Sequence, residues 1–313
     1  MSVQPVDELQ TLRDLLRYGV SRFRAASLYF GHGCDNAWDE AVYLGLYALN
    51  IPAEQLEGCL DARLLRSERE QVLALFERRI TEVIPAAYLT GEAWLLGYRF
   101  RVDPRVIVPR SYIARLLLEE SLQPWLPKPE SLARVLDVCT GSACLAILAA
   151  QLFEQAHIDA VDCSAEALAV AAGNVKDYGL EDRIRLIEGD VFEPLEQEAR
   201  YNLIIANPPY VKTESMQTLP KEYLHEPEIA LAGGRDGLDL VTRIINGAAR
   251  YLAPEGLLLI EIGHNRVALE AEYPTLAGIW MHTDGEGGEV LLLTRSEIAS
   301  ADSIRGLRAE RYG

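Results

Sequence analysis

From Ala133 to Ile262, short apolar runs alternate with longer segments of helical period, and this alternation constrains the fold more than any other feature. Ala133 to Val138, Ile158 to Val161, Ile184 to Ile187, Leu203 to Ala206 and Leu257 to Ile262 read as buried strands. Cys144 to Phe153, Ala165 to Tyr178 and Leu238 to Tyr251 read as helices between them. Strand and helix in repeated succession imply right-handed crossovers and a parallel, doubly wound sheet. Glu289 to Thr294 is expected as an edge strand.

The residues before this region follow other periods. Leu9, Leu12, Leu16 and Val20 recur at helical spacing behind Asp7 and Gln10, which resemble a capping box. Asn36 with Asp39 is expected to open a second helix, and Ser67 with Glu70 a third that runs until Pro85. Tyr98, Phe100 and Val102 alternate, Asp103-Pro104 supplies a turn, and Val106 to Val108 continues the strand pattern, so a hairpin is expected there. Ser111 caps the next helix, and Pro124, Pro127 and Pro129 break the chain before the sheet begins. The expected division is a helical part at 1–86, a hairpin linker at 87–110 and the sheet at 111–313.

In a doubly wound sheet a ligand lies beyond the carboxyl ends of the strands, where the strand order reverses. The first three strands each end near an acid: Asp137, Asp162 and Asp190. The first leads into Thr140-Gly141, a turn with less glycine than a dinucleotide fingerprint has, and Asp162 is placed to bond ribose hydroxyls. Acids around a glycine-poor turn favour a cofactor with ribose and positive charge but no phosphate, and S-adenosylmethionine fits that description.

The fourth strand runs directly into Asn207-Pro208-Pro209-Tyr210. An amide nitrogen is a poor nucleophile because its lone pair is delocalised. A site that methylates it must accept hydrogen bonds from its NH2 group and aim the lone pair at the methyl carbon. Asn207 offers a side-chain carbonyl, Pro208 a backbone carbonyl without an N–H, and Tyr210 a ring to pack on the planar group.

Together these residues resemble a class I, Rossmann-like methyltransferase of the amino-methylating group. Ala87-Tyr88-Leu89-Thr90-Gly91-Glu92-Ala93, Val102-Asp103-Pro104-Arg105-Val106 and Val108-Pro109-Arg110-Ser111 narrow the resemblance to the protein-(glutamine-N5) methyltransferases. Leu219-Pro220, the run from Glu222 to Glu228, and Gly234-Arg235-Asp236-Gly237-Leu238 do the same. Of the two bacterial branches, the chain looks like the one that modifies ribosomal protein L-three. The other branch, acting on release factors, has a glycine-richer first motif, whereas Cys139 stands second after Asp137 here.

The resemblance implies a seven-stranded sheet carrying S-adenosylmethionine and a helical amino-terminal substrate domain. It implies that Asn207 and Pro208 bind the target amide, with Pro209 and Tyr210 beside it. Asp162 would hold the ribose, Asp190 would lie near the adenine, and Asp137, Thr140 and Gly141 near the methionine part, with Asn207 bordering the cofactor. Arg110 is a further candidate for substrate contact. The family pattern has glycine where this chain has Ala143, so either a methyl group crowds the cofactor or the position has no need of a positive φ.

Composition narrows the remaining choices. Thirty Lys and Arg against 47 Asp and Glu leave a net charge of −17, a poor match for the cationic surface that binds duplex DNA. DNA adenine methylation, which poses the same exocyclic-amine problem, is disfavoured on that ground, while a basic protein partner is favoured. Five cysteines without CxxC spacing suggest neither a disulfide framework nor a metal site. No signal segment precedes Gln10, and the longest apolar stretch, Cys144 to Phe153, is about ten residues where a membrane span needs roughly twenty. A cytoplasmic enzyme acting on free or early-assembling ribosomal protein is the expectation.

Overall fold

A computed structural model describes residues 4–119, 121–126, 129–281 and 289–300. Pro127 and the tail 301–313 lie outside the described residues.

The amino-terminal helices are α1 (Pro5–Glu8), α2 (Leu12–Ala25), α3 (Ala37–Leu49), α4 (Leu56–Cys59), α5 (Arg66–Glu82) and α6 (Ala86–Thr90). The cap of α2 is Thr11, whose hydroxyl accepts from the Asp14 amide while the Asp14 carboxylate accepts from the Thr11 amide. The expected Asp7–Gln10 box is therefore displaced by four residues, because Asp7 is taken into α1. Asn36 caps α3 as expected, accepting from the amides of Trp38 and Asp39. For α5 the acid that reaches back is Glu68, which accepts from the Leu65 amide, in place of the expected Ser67–Glu70 pair. Leu12, Leu15, Leu16, Phe23, Leu44, Val72 and Phe76 form the core of this part. Gly19 is what lets α5 approach α2, since a Cβ there would lie 2.6 Å from the Phe76 ring.

The hairpin consists of β1 (Glu92–Leu95) and β2 (Tyr98–Arg101), turning at Leu96-Gly97. It was expected at Asp103-Pro104. Val106 and Val108 are buried but unpaired with a strand, because their outlets are tertiary: the Val106 carbonyl accepts from Tyr88 and the Val108 amide donates to Glu226.

Next come α7 (Tyr112–Leu118), capped by Ser111 as expected, then β3 (Arg134–Val138), α8 (Cys144–Leu152), β4 (His157–Asp162), α9 (Ala165–Asp177), β5 (Ile184–Glu188) and β6 (Tyr201–Ala206). The chain continues through α10 (Thr213–Met216), α11 (Asp239–Tyr251), β7 (Leu252–Glu261), α12 (Arg266–Glu272), β8 (Ile279–Met281) and β9 (Val290–Thr294). The seven-stranded sheet has the order β5-β4-β3-β6-β7-β9-β8. Its first five strands are parallel, whereas β9 runs antiparallel to both neighbours. The Val290–Thr294 strand is thus interior, and the edge belongs to β8, three residues too short to show a period.

Period-two alternation divides the core. Val135, Ile158, Leu203 and Leu257 face a cluster with α7 and α8, while Leu136, Val161, Ile204 and Leu258 face one with α11. The order reverses at β3, flanked by β4 on one side and β6 on the other. That reversal is where a crevice opens beyond the carboxyl ends of the strands.

Candidate active site

At the end of β3, the buried Asp137 carboxylate accepts at Oδ2 from the Thr140 hydroxyl (2.6 Å) and the Ala146 amide (3.1 Å). Its Oδ1 is equally buried and has no partner. Burial pushes this carboxyl up to about 7, against the pull of the two hydrogen bonds. Gly141 turns the chain with φ +56°, and a side chain there would meet open space. Its amide donates to Asp162 Oδ2 (2.9 Å), while Asp162 Oδ1 accepts from the Ser164 amide. Burial raises the Asp162 carboxyl too. Asp190, after β5, is half exposed and paired with Arg243 at 2.7 Å.

Ala143 follows in the same turn. Its φ is +63°, so the position does require the left-handed conformation. The residue is fully buried in the cluster of α7 and α8, where its methyl group packs into the core. Cys139 is left-handed as well, at φ 61°.

The Asn207-Pro208-Pro209-Tyr210 loop follows β6 at the switch point and lines a cavity of about 950 Å3, together with Arg110 and Glu261. Among the described residues, the walls of this cavity do not include Asp137, Thr140, Gly141, Asp162 or Asp190, which stand at the carboxyl ends of the neighbouring strands β3 to β5. The Asn207 Nδ2 donates to the Arg110 carbonyl at 3.3 Å, leaving Oδ1 as an acceptor. The Tyr210 hydroxyl donates to Glu261 Oε1 at 3.2 Å, and its own carbonyl accepts from Asn265 Nδ2 at 2.7 Å. Three glycines make room for the loop: a Cβ on Gly233 would strike the Tyr210 backbone at 2.6 Å, one on Gly263 the Tyr210 ring at 2.6 Å, and one on Gly237 the Tyr210 carbonyl at 2.4 Å.

Arg110 has its guanidinium engaged. It donates to both oxygens of Glu226, at 2.6 and 2.5 Å, and lies over the Tyr223 ring. Burial alone would raise the Glu226 carboxyl, but the two bonds and the charge of Arg110, with His32 Nε2 3.6 Å away, bring it down to about 2. A few residues earlier, the fully buried Arg79 of α5 bonds Glu40 at 2.7 Å and Glu222 at 3.2 Å. The segment after the Asn-Pro-Pro-Tyr loop is thereby tied at Glu222 to the helical part and at Glu226 to the linker.

Sequence reasoning passed over Glu261 and Asn265. Glu261 is fully buried at the end of β7, accepts from the Ser111 hydroxyl and the Tyr112 amide, and has its carboxyl raised by burial. An acid ending a run as apolar as Leu257 to Ile262 was a readable signal, since buried acids are rare without a partner. Asn265 carried no such signal.

The residues fit the cofactor expected from the sequence. A buried carboxylate oxygen without a partner suits a cationic group, and the side-chain-free face of Gly141 leaves it space.

A model of the methyltransferase small domain family matches residues 114–234. The chain is 57% identical to a ribosomal protein uL3 glutamine methyltransferase of Bordetella pertussis over 291 residues, 93% of this chain and 97% of that protein. A protein of the same name from Neisseria meningitidis serogroup B is 56% identical over 295 residues, 94% of this chain and 96% of its own length. Among solved structures, the T. thermophilus 16S rRNA N2 G1207 methyltransferase, in complex with AdoMet and guanosine, matches with a TM-score of 0.43 and 22% identity, over 65% of this chain and 49% of its own.

Proposed function

The chain belongs to the ribosomal protein uL3 glutamine methyltransferases, and from that premise we propose that it methylates the side-chain amide of a glutamine in uL3, the L-three protein of the large ribosomal subunit, before assembly buries it. It is an S-adenosylmethionine-dependent methyltransferase. The observation that carries the substrate chemistry is the Asn207 amide: with Nδ2 tethered to the Arg110 carbonyl, Oδ1 is left to accept from a second NH2 group.

Asn207 Oδ1 and the Pro208 carbonyl accept hydrogen bonds from the two N–H groups of the glutamine NH2, which holds the nitrogen lone pair out of conjugation and aims it. The Tyr210 ring packs on the amide plane, kept in place by Glu261, Asn265 and Gly263. The cofactor, when bound, supplies an electrophilic methyl group. Asp137, Thr140, Gly141, Asp162 and Asp190 would hold it, the free Asp137 Oδ1 suiting the positively charged methionine end and Asp162 the ribose. Positioning and aligned dipoles supply the rate; the methylated nitrogen, strongly acidic while it carries the charge, releases one N–H proton to solvent, so no strong base is needed.

In this proposal residues 1–86 recognise the substrate protein, 87–110 link, and 111–313 carry the cofactor. The test is to incubate the enzyme and radiolabelled S-adenosylmethionine with isolated uL3, a peptide-release factor and duplex DNA in parallel. Label on uL3 is expected. Label on the release factor or DNA alone would overturn the substrate.

A further inference from the structure

The tip of the β1–β2 hairpin breaks two local rules at once. With one residue after another at φ +50° and +86°, Leu96-Gly97 forms the left-handed pair that a two-residue hairpin turn requires. Asparagine, aspartate or glycine normally fills the first of these positions; here a branched apolar side chain occupies it, strained and 44% exposed. Two residues earlier Trp94 is 49% exposed. Neither choice serves the stability of the hairpin, and a residue that breaks a local rule without a local gain marks a functional surface.

The position of the tip shows what that surface meets. Trp94 and Leu96 line the cavity of the Asn-Pro-Pro-Tyr loop. Trp94 and Gly33 also line a second cavity of about 1290 Å3, which continues along α3 past Tyr47 and Ile51. The two hollows adjoin at Trp94 and Gly33. The hairpin offers main-chain partners there as well. The Gly91 carbonyl accepts from the Val102 amide, so by the alternation of antiparallel pairs Ala93 faces β2 and Trp94 turns its N–H and C=O outward. An extended polypeptide can pair with that edge.

Charge states the chemistry of the occupant. Asp35, Asp39 and Glu54 stand exposed along the two hollows. Arg78, the one arginine or lysine of the second cavity among the described residues, is paired with Glu82. The α3 cavity thus offers acids to a basic segment, while the cavity of the Asn-Pro-Pro-Tyr loop also carries Arg110, engaged by Glu226, with Arg115 and Lys212.

We infer that the hairpin tip and the α3 cavity bind the basic, extended stretch of substrate polypeptide flanking the target glutamine, Trp94 and Leu96 gripping it at the entrance to the active site. The inference rests on the proposed function and adds the substrate path to it. The test measures methyl transfer to isolated uL3 over a range of uL3 concentrations, with cofactor affinity and Tm, for the wild-type chain, Trp94→Ala, Leu96→Asn and Glu54→Lys. Trp94→Ala should raise KM about tenfold with kcat changed less than about twofold. Leu96→Asn should raise KM several-fold while Tm holds or rises, a combination that loss of packing would not produce. Glu54→Lys should raise KM and weaken its dependence on salt. Unshifted KM in the first two variants beside an active wild type, or a fall in Tm for Leu96→Asn, would overturn the docking surface alone. No transfer to uL3 by the wild type would remove the functional reading, and the docking surface with it.

Discussion

Asn207 and Asp137 concentrate the chemistry at the scale of single residues. Asn207→Ala removes the acceptor aimed at the glutamine amide while leaving the acids of β3 to β5 untouched. We expect kcat to fall by about two orders of magnitude with cofactor affinity retained, in line with the loss of one aligned dipole, and single-turnover transfer beside calorimetric titration checks both halves. Asp137 makes a pH prediction. Its folded-state carboxyl, up to about 7, lies above the unfolded value near 3.9, so it favours folding at low pH and that contribution is lost as pH rises through about 7. A cationic ligand prefers the ionised form. Affinity for S-adenosylmethionine should therefore climb as pH rises through about 7, and Asp137→Asn should flatten the climb; calorimetry across that range decides it.

At the scale of elements, the segment from Pro220 to Leu231 acts as a strap between the helical part and the linker, through Glu222–Arg79 and Glu226–Arg110. The same Arg110 whose side chain Glu226 holds presents the carbonyl that anchors Asn207. Glu226→Gln keeps the shape and an acceptor for the Val108 amide but leaves the arginine charge unmatched. Stability should fall by about 2–3 kcal/mol, less than for a wholly buried charge because Arg110 keeps some solvent contact. kcat should fall while cofactor affinity stays level, as the Asn207 anchor shifts; denaturant unfolding and kinetics read these separately. Because the Glu226 carboxyl is depressed, its stabilising contribution is full above the usual carboxylate value and is lost progressively as pH falls from there through about 2.

For the whole molecule, the net charge of −17 sets how a basic substrate is met. An acidic surface attracts an isolated basic protein and repels an RNA-coated particle. We expect kcat/KM on isolated uL3 to fall with added salt and to exceed that on mature large subunits; equal rates on the two would remove the electrostatic account. No helix among the described residues is long and apolar enough to cross a membrane.

The doubly wound sheet, its strand-end acids and the Asn-Pro-Pro-Tyr loop are all legible in the chain before it folds. Each of these is written in contiguous residues: a period of two or of 3.6, or a motif at the end of a run. How those pieces are held depends on contacts that exist only once the chain is folded. The hairpin turn fell at Leu96-Gly97 and not at Asp103-Pro104, because a strained leucine hides a turn that composition would place at a proline. Val290–Thr294 lies inside the sheet because a three-residue strand, Ile279–Met281, closes the edge beyond it. Arg110, a candidate for touching substrate, has its charge met by Glu226, 116 positions away in sequence, and Arg79 meets Glu222 at a separation of 143. Ion pairs at such separations leave no period or spacing in the chain. They arise when folding excludes water around charges that can then be stabilised only by one another.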